Sequence, residues 1–202
     1  MRENDPRFRR SRRLMREALV ELAREGPENL TVSAICQATG VDRATFYRHF
    51  PDLEHLVADT LAYLADESAT RWETSSSGGT ARGPESSAVV LSQYFAHIKE
   101  NWALYRWALG GSGSAAALHG ILDRTRRAIE SELLVVHQGE PETDLHRRAT
   151  FAAGAVLGTI LGWLAEPNPA PAEEMAAWTV SEIDSRLVYP ALAPLGGQPR
   201  RP

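Results

Sequence analysis

Apolar residues recur at intervals of three and four along most of the chain, which is the spacing of amphipathic α-helices. Glycine, proline or serine interrupts these runs at residues 26–27, 51, 74–87, 110–113 and 167–171. The pattern predicts an all-α fold of about nine helices. Three short helices fall in residues 1–52, a larger helical bundle in residues 53–190, and a loose tail in residues 191–202.

Two short helix signatures joined by a glycine occupy the stretch TVSAICQATGVDRATFYRHF at residues 31–50. Thr31 and Asp42 each precede a helical run, and their side-chain oxygens can cap its first turn. Gly40 lies between the runs, where the backbone needs a positive φ to leave the first helix. The second helix has two phenylalanines four residues apart on one face, and hydrogen-bond donors elsewhere at Arg43, Thr45, Tyr47, Arg48 and His49. This arrangement predicts a helix-turn-helix whose second helix enters the DNA major groove.

Positive charge is concentrated at the N-terminal end. The chain has 22 Lys or Arg and 26 Asp or Glu, a net charge of −4. Residues 1–50 carry ten Arg against seven acids, or +3, which leaves 12 against 19, or −7, for residues 51–202. The arginines before residue 14 predict an arm, disordered without DNA, that contacts phosphates or the minor groove through Arg9, Arg10 and Arg12.

The run T-V-x-x-I, the small residue Cys36, the turn A-T-G-V and the ending T-F-Y-R-H-F together resemble the TetR family of transcriptional regulators. The resemblance implies that Arg43 and Ala44 touch base edges. It assigns phosphate positioning to Thr45, Tyr47, His49 and the hydroxyls of Thr31 and Ser33. Many members carry lysines where this chain has Pro51 and Leu53, so two phosphate contacts are missing here.

The later helices resemble a subgroup of TetR-family ligand-binding domains. That resemblance implies a homodimer on a (pseudo)palindromic double-stranded DNA operator, most often a repressor released by a small-molecule effector. Five aromatic residues lie within fourteen positions, from Tyr94 to Trp107. Such a stripe is commonly plain core, but it also suits an apolar pocket for a hydrophobic or aromatic effector. The pocket candidates are Tyr94, Phe95, Ile98, Trp102 and Tyr105, with His119 as a polar anchor.

Three glycines spaced by four, from Gly154 to Gly162, leave bare backbone on one face of a long helix, where another helix can approach closely. The resemblance implies that the last two long helices form the dimer interface. The interface candidates are Gly154, Gly158, Trp163 and Trp178. Residues 149–165 are apolar but shorter than a membrane span, so we expect a buried helix and no membrane partner.

No constellation of catalytic residues is apparent, so we expect no enzyme activity, no cofactor and no metal. The histidines lack the paired spacing of a zinc site, and the glycine-rich GGSGS lacks the lysine of a phosphate loop. The lone Cys36 is interpreted as a small buried residue. The chain opens without an apolar leader, so we expect a cytoplasmic location. Two alternatives remain: a TetR-like co-regulator that acts through protein partners with weak or lost DNA binding, and a helical enzyme.

Overall fold

A computed structural model describes residues 5–26, 29–75, 84–110 and 113–183. Within those ranges the chain forms nine α-helices and no strand, which confirms the predicted all-α fold. The helices are α1 (Pro6–Glu25), α2 (Val32–Thr39), α3 (Arg43–His49), α4 (Leu53–Ser75), α5 (Pro84–Glu100), α6 (Trp102–Leu109), α7 (Ala115–Val136), α8 (Glu142–Ala165) and α9 (Ala172–Ile183). The predicted loose tail lies outside the described residues.

The predicted N-terminal arm is helical instead. Asp5 caps α1 by accepting a hydrogen bond from the Arg7 amide at 2.9 Å, and Pro6 occupies the first turn, where its missing N–H costs nothing. Arg9, Arg10 and Arg12 therefore project from a rigid helix rather than from a disordered tail. The cap and the proline outweigh the mutual repulsion of the arginines, which a helix spreads over several faces.

One continuous hydrophobic core joins the N-terminal helices to the rest of the chain. Met15 of α1, Ile35 of α2 and Phe46 of α3 are fully buried in it. Leu56 and Val57 at the start of α4 are buried in the same cluster. The long helix α4 therefore connects the two predicted domains as a packed element, not as a flexible linker.

The core of the C-terminal helices is built around Trp163 of α8. Its ring contacts those of Phe95 and Trp102, with centroids 5.2 and 4.9 Å away. Its indole N–H donates to the carbonyl of Ala170 at 2.9 Å, which fixes the loop before α9. Trp163 is 1% exposed, so its assignment to the dimer interface was wrong.

Helix α8 is the one described helix long and apolar enough to cross a membrane by length and composition. The predicted burial of this helix holds for one face only. One face, with Ala149, Ala152, Val156 and Ile160, is buried against the protein core. The opposite face carries the glycines and is exposed.

Candidate nucleic-acid interface

Local hydrogen bonds set the geometry of the turn between α2 and α3. Thr31 Oγ1 accepts from the Ala34 amide at 3.1 Å, and Asp42 Oδ1 accepts from the Thr45 amide at 2.7 Å. Gly40 ends α2 with φ at +68°, in the left-handed region that glycine adopts readily. Both caps and the turn glycine are placed as the sequence predicts.

Helix α3 separates its apolar and polar side chains. Phe46 is fully buried, and Phe50, just beyond the helix, is 3% exposed. The side chains of Arg43, Ala44, Tyr47 and Arg48 are exposed, and Thr45 is half-buried. Arg48 donates to Thr45 Oγ1 at 2.7 Å, so these two side chains support each other on the helix surface. The exposed face offers cationic and phenolic hydrogen-bond donors to a partner.

Thr31 and Ser33 are exposed at the start of α2, as their predicted phosphate contacts require. Leu53, where many relatives carry a lysine, is half-buried and packs against the core. Its position is therefore structural in this chain. Pro51 is exposed but cannot donate a hydrogen bond to a phosphate.

His49 is half-buried at the end of α3. Its ring lies 3.9 Å from the ring of Phe8 in α1, and its Nδ1 finds no hydrogen-bond partner among the described residues. Burial, reinforced by the charges of Arg48 and Arg12, lowers the pKa of His49. The imidazole is therefore neutral at pH 7 and can offer a phosphate a hydrogen bond but no charge.

Two arginines of α1 converge on one acid of α4. Arg12 binds both oxygens of Asp59, and Arg16 Nε donates to Asp59 Oδ2 at 2.7 Å. The Arg12 guanidinium also lies 5.2 Å from the Phe50 ring, and that of Arg16 lies 4.4 Å from the Tyr63 ring. Arg12 is thus held by Asp59 with its side chain 31% exposed, so the predicted contact of Arg12 with DNA would compete with this ion pair. Arg9 and Arg10 are exposed.

The ion pairs of Asp59 with Arg12 and Arg16 should stabilise the fold in a pH-dependent way. Burial raises the pKa of Asp59, but the hydrogen bonds from Arg16 and Arg12 outweigh it and hold the pKa below its ordinary value. A depressed carboxyl pKa contributes stability above the ordinary pKa and loses it as the pH falls through the folded value. Asp59→Asn should therefore cost about 2 kcal/mol, because two arginines lose a negatively charged acceptor and one of its two oxygens.

This pH dependence can be tested by urea unfolding. Wild type and Asp59→Asn are compared from about pH 8 down to the acid limit of folding. The difference in free energy of unfolding should stay constant down to about pH 5 and shrink only below the ordinary carboxyl pKa of about 4. Asp144→Asn, which affects an exposed acid paired within α8, is the control and should stay within about 0.5 kcal/mol of wild type. A difference for Asp59→Asn that changes between pH 8 and 5 would contradict this assignment.

The helices that form this candidate interface match a known protein family. Residues 14–60, which span most of α1, all of α2 and α3, and the start of α4, match the family model described as bacterial regulatory proteins, tetR family. The chain carries a TetR-family regulatory domain at residues 14–60. No curated protein sequence matches it.

Solved structures of transcriptional regulators share the fold. A tetR-family transcriptional regulator from Streptomyces coelicolor is 22% identical with a TM-score of 0.60, over 88% of this chain and 80% of that one. A putative TetR-family regulator from Syntrophomonas wolfei str. Goettingen is 17% identical with a TM-score of 0.63, over 92% and 98% of the two chains. The regulator FadR from Bacillus subtilis, solved with stearoyl-CoA, is 18% identical with a TM-score of 0.56, over 84% and 96%.

Most predicted pocket residues lie together in the C-terminal helices, where α5 meets α6 and α8. Phe95, Ile98 and Tyr105 are buried, and Tyr94 and Trp102 are half-buried against the same core. His119 does not join them. It is exposed on α7, where its Nδ1 lies 3.0 Å from the Ala115 carbonyl, so its assignment as polar anchor was wrong.

His97 is a buried polar residue at this junction that the sequence analysis does not single out. It is 3% exposed, and its Nε2 lies 3.0 Å from the Tyr105 hydroxyl. Asn101, at the break between α5 and α6, donates to the His97 carbonyl at 3.0 Å. The spacing of Tyr94, His97 and Asn101 by three and four was the available signal, because it places Tyr94 and His97 on one face of α5 with Asn101 in line just beyond its end.

The remaining interface candidates, Gly154, Gly158 and Trp178, are each exposed. A Cβ added to Gly154, Gly158 or Gly162 would meet nothing within 4 Å in the chain. Trp178 of α9 is 54% exposed, and Phe151 of α8, which sequence reasoning did not single out, is 64% exposed. Large exposed apolar side chains beside bare helical backbone are typical of surfaces that bind another helix.

Cys36 is half-buried against the core. Burial raises the pKa of its thiol, although the nearby Arg43 opposes the shift. Among the described residues, no group of three or more His, Cys, Asp or Glu side chains could hold a metal ion.

Proposed function

We propose that the chain is a cytoplasmic, ligand-responsive repressor that binds a (pseudo)palindromic operator as a homodimer. The observation that carries this proposal is the division of α3, whose Phe46 face is buried while Arg43, Ala44, Tyr47 and Arg48 are exposed. A short helix anchored on its apolar side by a capped turn can present that exposed face to the major groove.

The proposed dimer forms through α8 and α9, around Gly154, Gly158 and Trp178. Exposed glycines allow the backbones of two helices to approach, and the exposed rings of Phe151 and Trp178 would gain burial. Two recognition helices can then reach half-sites about 34 to 36 Å apart on one side of the duplex.

We propose that the effector binds at the junction of α5 and α6, beside Tyr94, Phe95, Ile98, Trp102 and Tyr105. The apolar and aromatic character of these residues favours a hydrophobic or aromatic compound. FadR from Bacillus subtilis, which shares the fold, was solved with stearoyl-CoA, and a ligand with a long apolar part is consistent with the proposal.

The proposed switch acts through α4. This helix contacts α1 through Asp59 and α7 through Asp66, which pairs with Arg124. A small swing of α4 in each subunit would move the recognition helices out of register with the two half-sites. The effector must bind the DNA-free arrangement more tightly, and operator must weaken effector binding by the same factor.

Replacing Arg43 tests the assignment of base reading. An arginine bidentate to guanine contributes about 1 to 3 kcal/mol of discrimination between bases. Arg43→Ala should therefore lower affinity for the operator more than affinity for scrambled DNA. Tyr47→Phe, which removes one phosphate donor from the neighbouring exposed face, should weaken both duplexes alike.

The readout is fluorescence anisotropy with both duplexes at fixed salt. If the two variants lose affinity equally across sequences, Arg43 does not read bases.

The co-regulator alternative keeps one supporting observation, the half-buried Leu53 in place of a phosphate-binding lysine. It predicts that wild type binds operator no better than scrambled DNA. A catalytic role has no comparable support among the described residues.

A further inference from the structure

Phe8 is an apolar residue in the most basic part of the chain. It is the one aromatic residue before Phe46, and arginines stand at positions 7, 9 and 10 around it. Those arginines are exposed, whereas Phe8 is half-buried. On α1, Phe8 shares a face with Arg12 and Met15, four and seven positions later. Met15 is fully buried, so this is the face of α1 that packs on the protein.

The ring of Phe8 lies against the imidazole of His49 at the end of α3. The two ring centroids are 3.9 Å apart, and the rings are tilted by 32°. The His49 ring also lies 6.2 Å from that of Phe50, over which the Arg12 guanidinium is placed at 5.2 Å. The Asp5 cap fixes the turn of α1 that carries Phe8. The imidazole is therefore restricted in its rotation by a ring from another helix.

The two ring nitrogens of His49 have different surroundings. Nδ1 is buried and has no hydrogen-bond partner among the described residues. A neutral imidazole carries one N–H and one lone pair. With the proton on Nδ1, the single N–H of the ring would be buried without an acceptor, which is unfavourable. With the proton on Nε2, the N–H can reach water or a phosphate, so the packing favours this tautomer.

We propose that Phe8 is a positioning residue for DNA binding, which holds His49 so that Nε2 donates a neutral hydrogen bond to a backbone phosphate. Phe8 itself touches no DNA and acts through His49. This inference rests on the proposed function and deepens it, because it names the donor atom of the phosphate contact and the residue of α1 that orients it.

A neutral donor contributes to affinity differently from a lysine. A lysine that neutralises a phosphate releases counterions and makes binding depend more steeply on salt. The N–H of a neutral imidazole releases none. Its contribution depends on orientation, since a side chain already held in place loses little conformational freedom on binding. Removing the Phe8 ring should therefore weaken this contact without changing the salt dependence.

The first experiment identifies the donating nitrogen. The amide nitrogen of glutamine can stand in for Nε2, and that of asparagine for Nδ1. His49→Ala and His49→Asn should bind operator and scrambled duplexes about tenfold more weakly than wild type, through loss of one hydrogen bond in each subunit. His49→Gln should recover most of this loss.

Anisotropy at pH 7.5 over a range of salt concentrations is the readout. The slope of log affinity against log salt should be the same for wild type and His49→Ala. Recovery by His49→Asn in place of His49→Gln would overturn the assignment of Nε2. A shallower slope for His49→Ala would overturn the neutral donor, because it would show that a charged contact had been lost.

The second experiment tests Phe8 with a double-mutant cycle. Phe8→Ala should lower affinity for both duplexes about fivefold, within the range of coupling between residues in contact. Phe8→Tyr keeps the ring and should recover this loss. In a His49→Ala protein, Phe8→Ala should cause no further loss. Circular dichroism and thermal melting establish that the variants fold. An equal loss in both backgrounds would overturn the proposal, because Phe8 would then act through another group.

A third measurement uses the wild-type protein without DNA and needs no substitution at Phe8. Long-range proton–nitrogen NMR spectra at pH 7.5 should show His49 protonated on Nε2 and unprotonated on Nδ1. The signals of His49 are identified by their absence from His49→Gln. A proton on Nδ1, or an equal mixture of the two tautomers, would overturn the orientation that we assign to the ring.

Failure of this inference and failure of the proposed function give different results. A phosphate contact carries no sequence information, so the His49 variants can be compared on the scrambled duplex alone. Equal binding of both duplexes by wild type would count against the proposed function and leave this inference standing. Equal affinities of His49→Gln and His49→Asn, with the preference for operator intact, would count against this inference alone. Absence of binding to either duplex would overturn both.

Discussion

If the proposed dimer forms through α8, replacing Gly158 by tryptophan should dissociate it and lower operator affinity by at least about a hundredfold, since the two half-sites are then bound independently. The new side chain would stand on the exposed face of α8, where a partner helix must approach closely. Gly158 is exposed, and a Cβ at this position would have nothing within 4 Å, so the larger side chain can extend into solvent. The fold of the subunit should therefore survive. Size-exclusion chromatography with light scattering reports the mass, and anisotropy reports operator affinity.

Gly120→Trp is the matched control. Gly120 is also an exposed helical glycine whose Cβ would meet nothing within 4 Å, but it lies on α7, outside the proposed interface. This variant should remain a dimer and bind operator as wild type does. If Gly158→Trp remains dimeric while it stays folded, α8 does not form the interface.

Replacing Phe46 by alanine should destabilise the protein by about 3 to 5 kcal/mol, the range for removing a buried aromatic ring. Phe46 is fully buried, and its ring lies 6.0 Å from that of Phe50. The neighbouring Tyr47 is 54% exposed, so Tyr47→Ala should change stability by no more than about 0.5 kcal/mol.

The two substitutions should lower operator affinity for different reasons. Tyr47→Ala should lose affinity while it stays fully folded, because the phenol faces the proposed DNA site. Phe46→Ala should lose affinity only in proportion to the fraction unfolded. Urea denaturation and anisotropy on the same samples separate the two effects. A folded Tyr47→Ala protein with wild-type affinity would remove Tyr47 from the interface.

Features set by neighbouring residues were predictable from sequence. Thr31 and Asp42 cap their own helices, and Gly40 adopts the conformation that a tight turn demands. These interactions span three or four residues, so their outcome depends little on the rest of the fold. The helix break at Asn101 was predictable for the same reason.

Features set by distant residues were not predictable. Arg12 is held by Asp59, 47 positions later, and no local pattern distinguishes it from the exposed Arg10. Trp163 and Gly162 are adjacent, but one helical step of about 100° turns one inward and leaves the other exposed. His119 appeared suitable as an anchor by residue type, yet the orientation of α7 turns it outward. Sequence spacing gives the periodicity of a helix, whereas packing decides which face is buried.

The most direct test of sequence-specific DNA binding is a titration of the wild-type chain against two labelled duplexes. One duplex carries DNA from upstream of its own gene, and the other carries the same bases scrambled. Anisotropy at physiological salt should show the upstream duplex bound at least about a thousandfold more tightly, which is the lower end for specific regulators. Equal affinity for the two duplexes, lost alike as salt increases, would contradict a sequence-specific regulator that reads this DNA through α3.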